Sequence, residues 1–361
     1  MVNGTIPQVM KKNLLIISPS MPQINTNAGD WRVCSLVCGL SKYFNIFFMP
    51  LKSCGCGGKY LENLQNVTVL KKIADKDKFS DFINKHKIET LIIEKYWDIP
   101  FDALEYMPLV KKSVVDVHEI GFKKTDAQSK IEKIGNNKLY KAKELLFYRQ
   151  ADILIAISGE EQKELRKYFP DKKIILLPTC TEVKTTDKSF FERKDICYFG
   201  FFGHRPNAEA VNFFIKNNLK TLLNINPGIK FYVLGKGAHM FKKVHKNVIT
   251  KEKIKDINCE LSKYRVFVCP LGYGAGIKKK VLDAMASKTP VVATKYGYEG
   301  IKGTGKYAVE RANSDFAYGI ISLYNNKNLW KKNSQINYKT VKMFYSQHAF
   351  KKYVKKLSDI L

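Results

Sequence analysis

The residues best equipped for chemistry lie in one stretch, Gly272–Thr294, which reads GYGAGIKKKVLDAMASKTPVVAT. Glycines at 272, 274 and 276 leave the backbone bare enough for a ligand to approach closely. The apolar run Val266–Pro270 before them predicts a strand, and the pattern after them predicts a helix over Gly276–Ser287. Free amides at such a helix start, with the positive end of the helix dipole, form an anion site. Lys278 and Lys280 then put two ammonium groups in the first turn. The dipole disfavours cations there, a local cost that a bound diphosphate offsets. Ile277, Val281, Ala284 and Met285 make the buried stripe, and Asp283 lies off it, where a carboxylate can accept two sugar hydroxyls. The plainer reading is an ordinary glycine loop and helix, with Lys279 and Asp283 forming a surface pair four residues apart.

Such a loop needs a scaffold, and short apolar runs alternate with amphipathic segments along the whole chain. Strands are predicted at Leu14–Ser18, Ile46–Met49, Val67–Leu70, Thr90–Ile93, Ser113–Val117, Ile153–Ser158 and Ile174–Pro178. After the polar stretch Glu182–Lys194 a second series begins, with strands at Ile196–Gly200, Lys230–Gly235, Asn247–Thr250, Val266–Pro270 and Pro290–Thr294. Helices are expected between them, among them Asn207–Leu223 and Lys253–Lys263. The fold class is α/β, with two facing Rossmann-like domains and a cleft between them. The expected domains are 11–183 and 195–345, followed by a C-terminal helix, 346–361, that packs back on the body. In that helix Phe350, Val354, Leu357 and Leu361 share one face and Lys351, Lys352, Lys355 and Lys356 the rest.

Composition sets the outer limits. The chain has 361 residues, 45% of them apolar, enough for the cores of two domains and too many for a disordered chain. No apolar run approaches the roughly 20 residues of a membrane span, and Met1–Met10 has no signal character, so a soluble intracellular protein is expected. Sixty-two Lys and Arg against 33 Asp and Glu give a formal charge of +29. The lysines are spread along the chain, which suits either a Lys-rich surface or a face turned to an anionic membrane or polyanion. Eight cysteines show no zinc-knuckle spacing, so no metal is expected; a metal site would have to centre on Cys54 and Cys56 in their glycine-rich turn.

The glycine stretch resembles the nucleotide-sugar motif of the group-one (family four) retaining glycosyltransferases of the GT-B fold, in the branch that reads G-x-G-I-K-x-K-x-x-E-A-M-A before P-V-V-A-T. Tyr198–Ala210 (YFGFFGHRPNAEA), Pro227–Gly237 (PGIKFYVLGKG), Ala151–Glu161 (ADILIAISGEE), Asp116–Glu119 (DVHE) and Ala28-Gly29 with Arg32 are similar to further parts of that family in the same order. The resemblance implies transfer of a sugar from a nucleoside-diphosphate donor to an acceptor hydroxyl, with retention and without metal or resident cofactor. It implies that Arg205 and Lys278, with Lys280 behind them, hold the diphosphate, and that Asp283 takes the ribose. Ile249 and Thr250 would face the base. Gly29, Gly203, Gly274, Gly276 and Ile277 would line the donor site, and His118, with Glu119 second, would stand near the anomeric carbon. The sequence departs from the pattern where the family has its first glutamate, here Ala275, and its second, here the shorter Asp283.

Two other readings stay open beside the enzyme: a sugar-nucleotide epimerase of the same fold, and a non-catalytic basic protein that binds nucleic acid or anionic glycan. Nucleic acid is not the expected partner, because no aromatic RNA-binding signature or zinc knuckle is present. The expected acceptor is a glycan, a lipid-linked saccharide or a protein. Lys52, Lys59, Lys71, Lys72, Lys123, Lys124, Lys130, Lys133, Lys141 and Lys143 in the first domain suggest peripheral contact with the cytoplasmic face of an anionic membrane.

Overall fold

The computed structural model describes residues 11–24, 27–52, 59–95, 100–132, 138–184, 188–304, 308–311 and 314–361. Cys54, Cys56 and Lys133 lie outside them, as does the stretch 1–10. Seven strands form the first sheet: β1 Asn13–Ser20, β2 Asn45–Lys52, β3 Val67–Val69, β4 Ile88–Lys95, β5 Lys112–Val117, β6 Ile153–Ala156 and β7 Lys173–Leu176, in the order β3-β2-β1-β4-β5-β6-β7. Five more form the second: β8 Lys194–Phe199, β9 Phe231–Leu234, β10 Val248–Lys251, β11 Tyr264–Cys269 and β12 Val291–Ala293, in the order β10-β9-β8-β11-β12. Every pairing is parallel; Leu15 of β1, for example, lies beside Phe47 and Leu91. Parallel strands need crossovers, and the helices that supply them cover both faces. Leu14, Leu15, Ile16 and Ile17 are therefore all fully buried, which is why the strands read as unbroken apolar runs.

In each sheet the chain order reverses once, between β1 and β4 and between β8 and β11. Loops at the carboxyl ends of strands open into a crevice at such points. The segments His118–Glu119 after β5, Gly200–His204 after β8 and Gly272–Lys278 after β11 all occupy such ends.

Three helices differ from expectation. The one foreseen at Asn207–Leu223 starts earlier, at Arg205, with Pro206 in its first turn, and divides at Asn218 into Arg205–Asn217 and Leu219–Ile225. The one foreseen at Lys253–Lys263 shortens to Ile257–Leu261, because the Asp256 side chain caps it by accepting from the Cys259 amide at 3.0 Å. The helix foreseen from Gly276 begins only at Lys279, with Lys278 as its extended N-cap. The polar connector ends on a fixed point: Arg193 is buried and donates to Thr289 Oγ1 at 2.8 Å and the Ser287 carbonyl at 3.0 Å.

The final helix, Gln347–Ser358, is started by Ser346, whose hydroxyl accepts from the Ala349 amide at 3.1 Å. It packs on the helix Ala28–Leu40 of the first domain, and Phe350, Val354 and Leu357 join the core there with Leu36 and Leu40. The contact is close enough that a Cβ on Gly39 would lie 3.1 Å from Val354 Cγ1. The chain thus returns across the cleft, pairing Thr181 with Ser346 as it does so. Among the described residues no helix is long and apolar enough to cross a membrane. Leu357 is fully buried, so Leu357→Ala should lower the unfolding free energy by about 2–5 kcal/mol. Urea denaturation checks this, and an unchanged midpoint would show that the helix is not part of the fold.

Candidate active site

On the first-domain side the site rests on buried charge. Arg32, on the helix Ala28–Leu40, grips Asp116 at the end of β5 through Nε at 2.8 Å and Nη2 at 2.5 Å, and donates its Nη1 to the Leu177 carbonyl at 2.8 Å. Both side chains are almost fully buried. His118, two residues on, places Nε2 2.7 Å from Glu94 Oε2 and 3.3 Å from Asp116 Oδ2. Burial pushes Glu94 up to about 7, with the Asp116 charge adding to it. Burial would also raise Asp116, but Arg32 and then His118 hold it below the carboxylate range. For His118 burial opposes the imidazolium, and Asp116 and Glu94 outweigh it, so its pKa is raised.

Next to this cluster, Glu144 Oε1 takes Lys95 Nζ at 2.5 Å, the Tyr148 hydroxyl at 2.7 Å and the Gly121 amide at 2.8 Å, while Oε2 takes the Phe122 amide at 2.8 Å. A carboxylate from another helix thereby satisfies the open amides of the helix Gly121–Glu132, which follows Glu119 directly.

Across the cleft, Gly276 has φ of +71° and Gly274 +151°, conformations that side-chain-bearing residues rarely adopt. A Cβ at Gly276 would lie 2.9 Å from the His118 carbonyl oxygen and 3.5 Å from Glu119 Cβ, so the glycine also permits a close approach of the two domains here. Lys278 Nζ donates to the carbonyls of Ala275 at 3.1 Å and Gly276 at 2.6 Å, and lies 3.5 Å from Glu299 Oε2. Glu299 also meets Lys123 of the first domain at 3.3 Å. Lys280 Nζ donates to the Tyr198 hydroxyl at 2.8 Å and to Asn207 Oδ1, directly under Gly200, where a Cβ would lie 3.1 Å from the amine. Burial, with the Lys278 charge adding to it, brings Lys280 down to about 8. His204 sits at the start of the helix Arg205–Asn217, and burial together with Lys124 and Lys280 brings it down to about 4, so it is neutral at pH 7.

Gly276 therefore meets His118 and Glu119 across the cleft, with Gly274, Ile277 and Lys278 in the same loop, and Lys280 lies under the loop that carries Gly203 and Arg205. Arg205 is exposed in the first turn of its helix. Ile249 and Thr250 are half-buried on β10, an edge strand of the second sheet. Gly29 lies in the first turn of a helix whose Trp31 ring is 4.7 Å from Lys279 Nζ. Lys279 and Asp283 pair at 2.8 Å as the plainer reading expects, but not on the surface: Asp283 is buried, because the segment carrying Thr181 covers it and its carboxylate also accepts from the Thr181 hydroxyl. Lys278 is the N-cap of the helix rather than part of its first turn, and its ammonium, still disfavoured by the helix dipole, is offset by the Ala275 and Gly276 carbonyls. Sequence reasoning missed Glu94, Lys95, Glu144, Tyr198 and Asn207. Among the described residues Glu94, Asp116 and His118 form the group whose donor atoms, within 4.8 Å of one another, suit a metal; Arg32 already holds both Asp116 oxygens there, and its charge opposes a dication.

Two parallel α/β sheets facing across a cleft, with a final helix crossing back, constitute the GT-B fold. Residues 193–326 match the family model described as Glycosyl transferases group 1, in keeping with the resemblance of the glycine stretch. No curated protein matches the chain. Among solved structures, sucrose-phosphate synthase from Thermosynechococcus elongatus is similar with a TM-score of 0.75 at 13% identity, over 97% of this chain and 99% of that one. A glycosyltransferase from Rickettsia africae gives 0.69 at 13%, over 97% and 98%. HepE of Anabaena, in complex with UDP and glucose, gives 0.69 at 11%, over 98% and 100%.

Removing Arg32 would strand the Asp116 charge in the interior. Arg32→Met should therefore cost about 3–5 kcal/mol of stability, and Arg32→Met combined with Asp116→Asn should recover part of that loss in the same denaturation experiment. A single variant as stable as the parent would show that the pair does not organise this side of the cleft.

Proposed function

We propose that the protein is a glycosyltransferase that moves a sugar from a nucleoside-diphosphate donor to an acceptor hydroxyl with retention of configuration. The observation that carries this reading is the convergence of the Gly274–Lys278 loop, the start of the helix Lys279–Ala286, Lys278 and Lys280 on a cleft faced by His118 and Glu119. The group-one match of residues 193–326 and the nucleotide held by the structurally similar HepE support it.

In this reading the diphosphate takes the loop amides, Lys278, Lys280 and Arg205. Lys278 exchanges the Ala275 and Gly276 carbonyls for phosphate oxygens, a stronger, charge-assisted partner. As the nucleoside diphosphate leaves, the two ammonium groups and the guanidinium neutralise it, so that no metal is required. Ile249 and Thr250 offer backbone groups to the base. Asp283 serves the ribose while its Oδ1 stays tied to Thr181 and Lys279. Gly203 and Gly29 allow close approach from either side, and Ile277 supports the loop from the core. His118, held by Glu94 and Asp116, and Glu119 stand on the sugar side. Free thiols at Cys34, Cys180, Cys197 and Cys269 fit a reducing cytoplasm.

Calorimetry with a panel of nucleoside diphosphates tests the donor site. Lys278→Ala should weaken the best of them by about 1–3 kcal/mol. Affinity should be level between about pH 7 and 8, above the phosphate's own ionisation at about 6, and fall above pH 8 by up to about tenfold per pH unit, because burial brings Lys280 down to about 8 and the lysine must regain its proton to hold the anion. Lys280→Gln should abolish that pH dependence. Unchanged affinity in Lys278→Ala would refute the assignment, and the anomeric configuration of product sugar, read by NMR, decides retention.

A further inference from the structure

The helix Lys138–Gln150 leaves an unusual face in solvent. Leu139 is 64% exposed and Leu146 is 53% exposed, and their spacing of seven puts them on one side of the helix. Ala142 and Lys143 lie between them, and Lys138 and Arg149 lie at the ends, all exposed. Phe101 extends the apolar surface: it is 40% exposed, with its ring edge-on to Phe147 of this helix at 6.3 Å. The exposed face carries no acidic residue, since the one carboxylate of the helix, Glu144, is buried in its pair with Lys95. Leucines interleaved with cations on an exposed helix face match the boundary of a bilayer, where apolar side chains meet acyl chains and cations meet headgroup phosphates. The charge of +29 supplies the long-range attraction to such a surface.

We propose that this face, Lys138, Leu139, Lys143, Leu146 and Arg149 with Phe101, docks the protein on an anionic lipid bilayer. Glu144 of the same helix holds the amides of Gly121 and Phe122, and Lys141 Nζ lies 4.9 Å over the Phe122 ring. The docked helix is therefore fastened to the segment that carries His118 and Glu119, and the membrane lies beside the cleft. Under the transferase reading, on which this consequence alone rests, the acceptor is a saccharide linked to a membrane lipid.

The test is co-sedimentation of the full-length protein with vesicles of phosphatidylcholine alone and of phosphatidylcholine with phosphatidylglycerol. Binding is expected to the anionic vesicles only. The triple variant Lys138→Gln, Lys143→Gln, Arg149→Gln should lower it by about a hundredfold, at about fivefold per cation. Leu139→Ser with Leu146→Ser should lower it by about tenfold at an unchanged melting temperature. A control triple on a distant helix, Lys331→Gln, Lys332→Gln, Lys339→Gln, should lower it by less than about threefold. Equal binding to both vesicle types would overturn the proposal. So would equal losses in the two triples, or an unaffected leucine variant, either of which would indicate general polyanion attraction. Nucleoside-diphosphate binding measured on the same samples keeps the two readings apart: vesicle binding without nucleotide binding sinks the transferase and leaves the surface, and the reverse sinks the surface alone.

Discussion

The pair of Arg32 and Asp116 holds one whole side of the cleft in place. Its guanidinium joins the first helix to the end of β5 and, through the Leu177 carbonyl, to the segment after β7. Two fully buried charges are costly to desolvate, and the bidentate geometry with a third hydrogen bond is what makes their burial tolerable. Because Asp116 is fixed, His118 is fixed; because His118 is fixed, its carbonyl can rest against Gly276 of the other domain. Glu94 shares the imidazole, and burial, with the Asp116 charge adding to it, raises the Glu94 carboxyl above its ordinary range.

The opposite wall works by crowding like charges. Lys278 and Lys280 lie close enough to oppose each other, and the fold gives each a neutral or anionic holding partner: backbone carbonyls and Glu299 for one, Tyr198 and Asn207 for the other. Burial, with the Lys278 charge adding to it, accordingly lowers the pKa of Lys280. Glu299 plays a double part, since it also reaches Lys123 and so ties the domains together on the same side.

Strand positions were readable because both faces of each sheet are covered and the strands are apolar throughout. The glycine loop was readable because its glycines stand in conformations closed to other residues, as at Gly276. The start of the following helix was misplaced by three residues, since periodicity marks the buried face of a helix and leaves its first turn open. Glu94, Lys95, Glu144, Tyr198 and Asn207 escaped because their partners are remote in sequence: 24 residues separate Glu94 from His118, 49 separate Lys95 from Glu144, and 73 separate Asn207 from Lys280. The one local hint was Glu94-Lys95 closing the apolar run TLII, charges at a strand end with no water-facing side to occupy.

The return of the last helix to the first domain means that the polypeptide crosses between the domains twice, and the crossings run side by side. The Thr181 amide on the outgoing segment donates to the Tyr345 carbonyl at 2.8 Å, and Thr181 pairs with Ser346 on the incoming one. A single tether would let the second domain swivel in any direction. Two laced tethers leave far fewer directions open to relative movement, because each must keep its bonds to the other. Gly276 against His118 and Glu299 against Lys123 lie away from these crossings, whereas the Thr181–Asp283 contact lies on them.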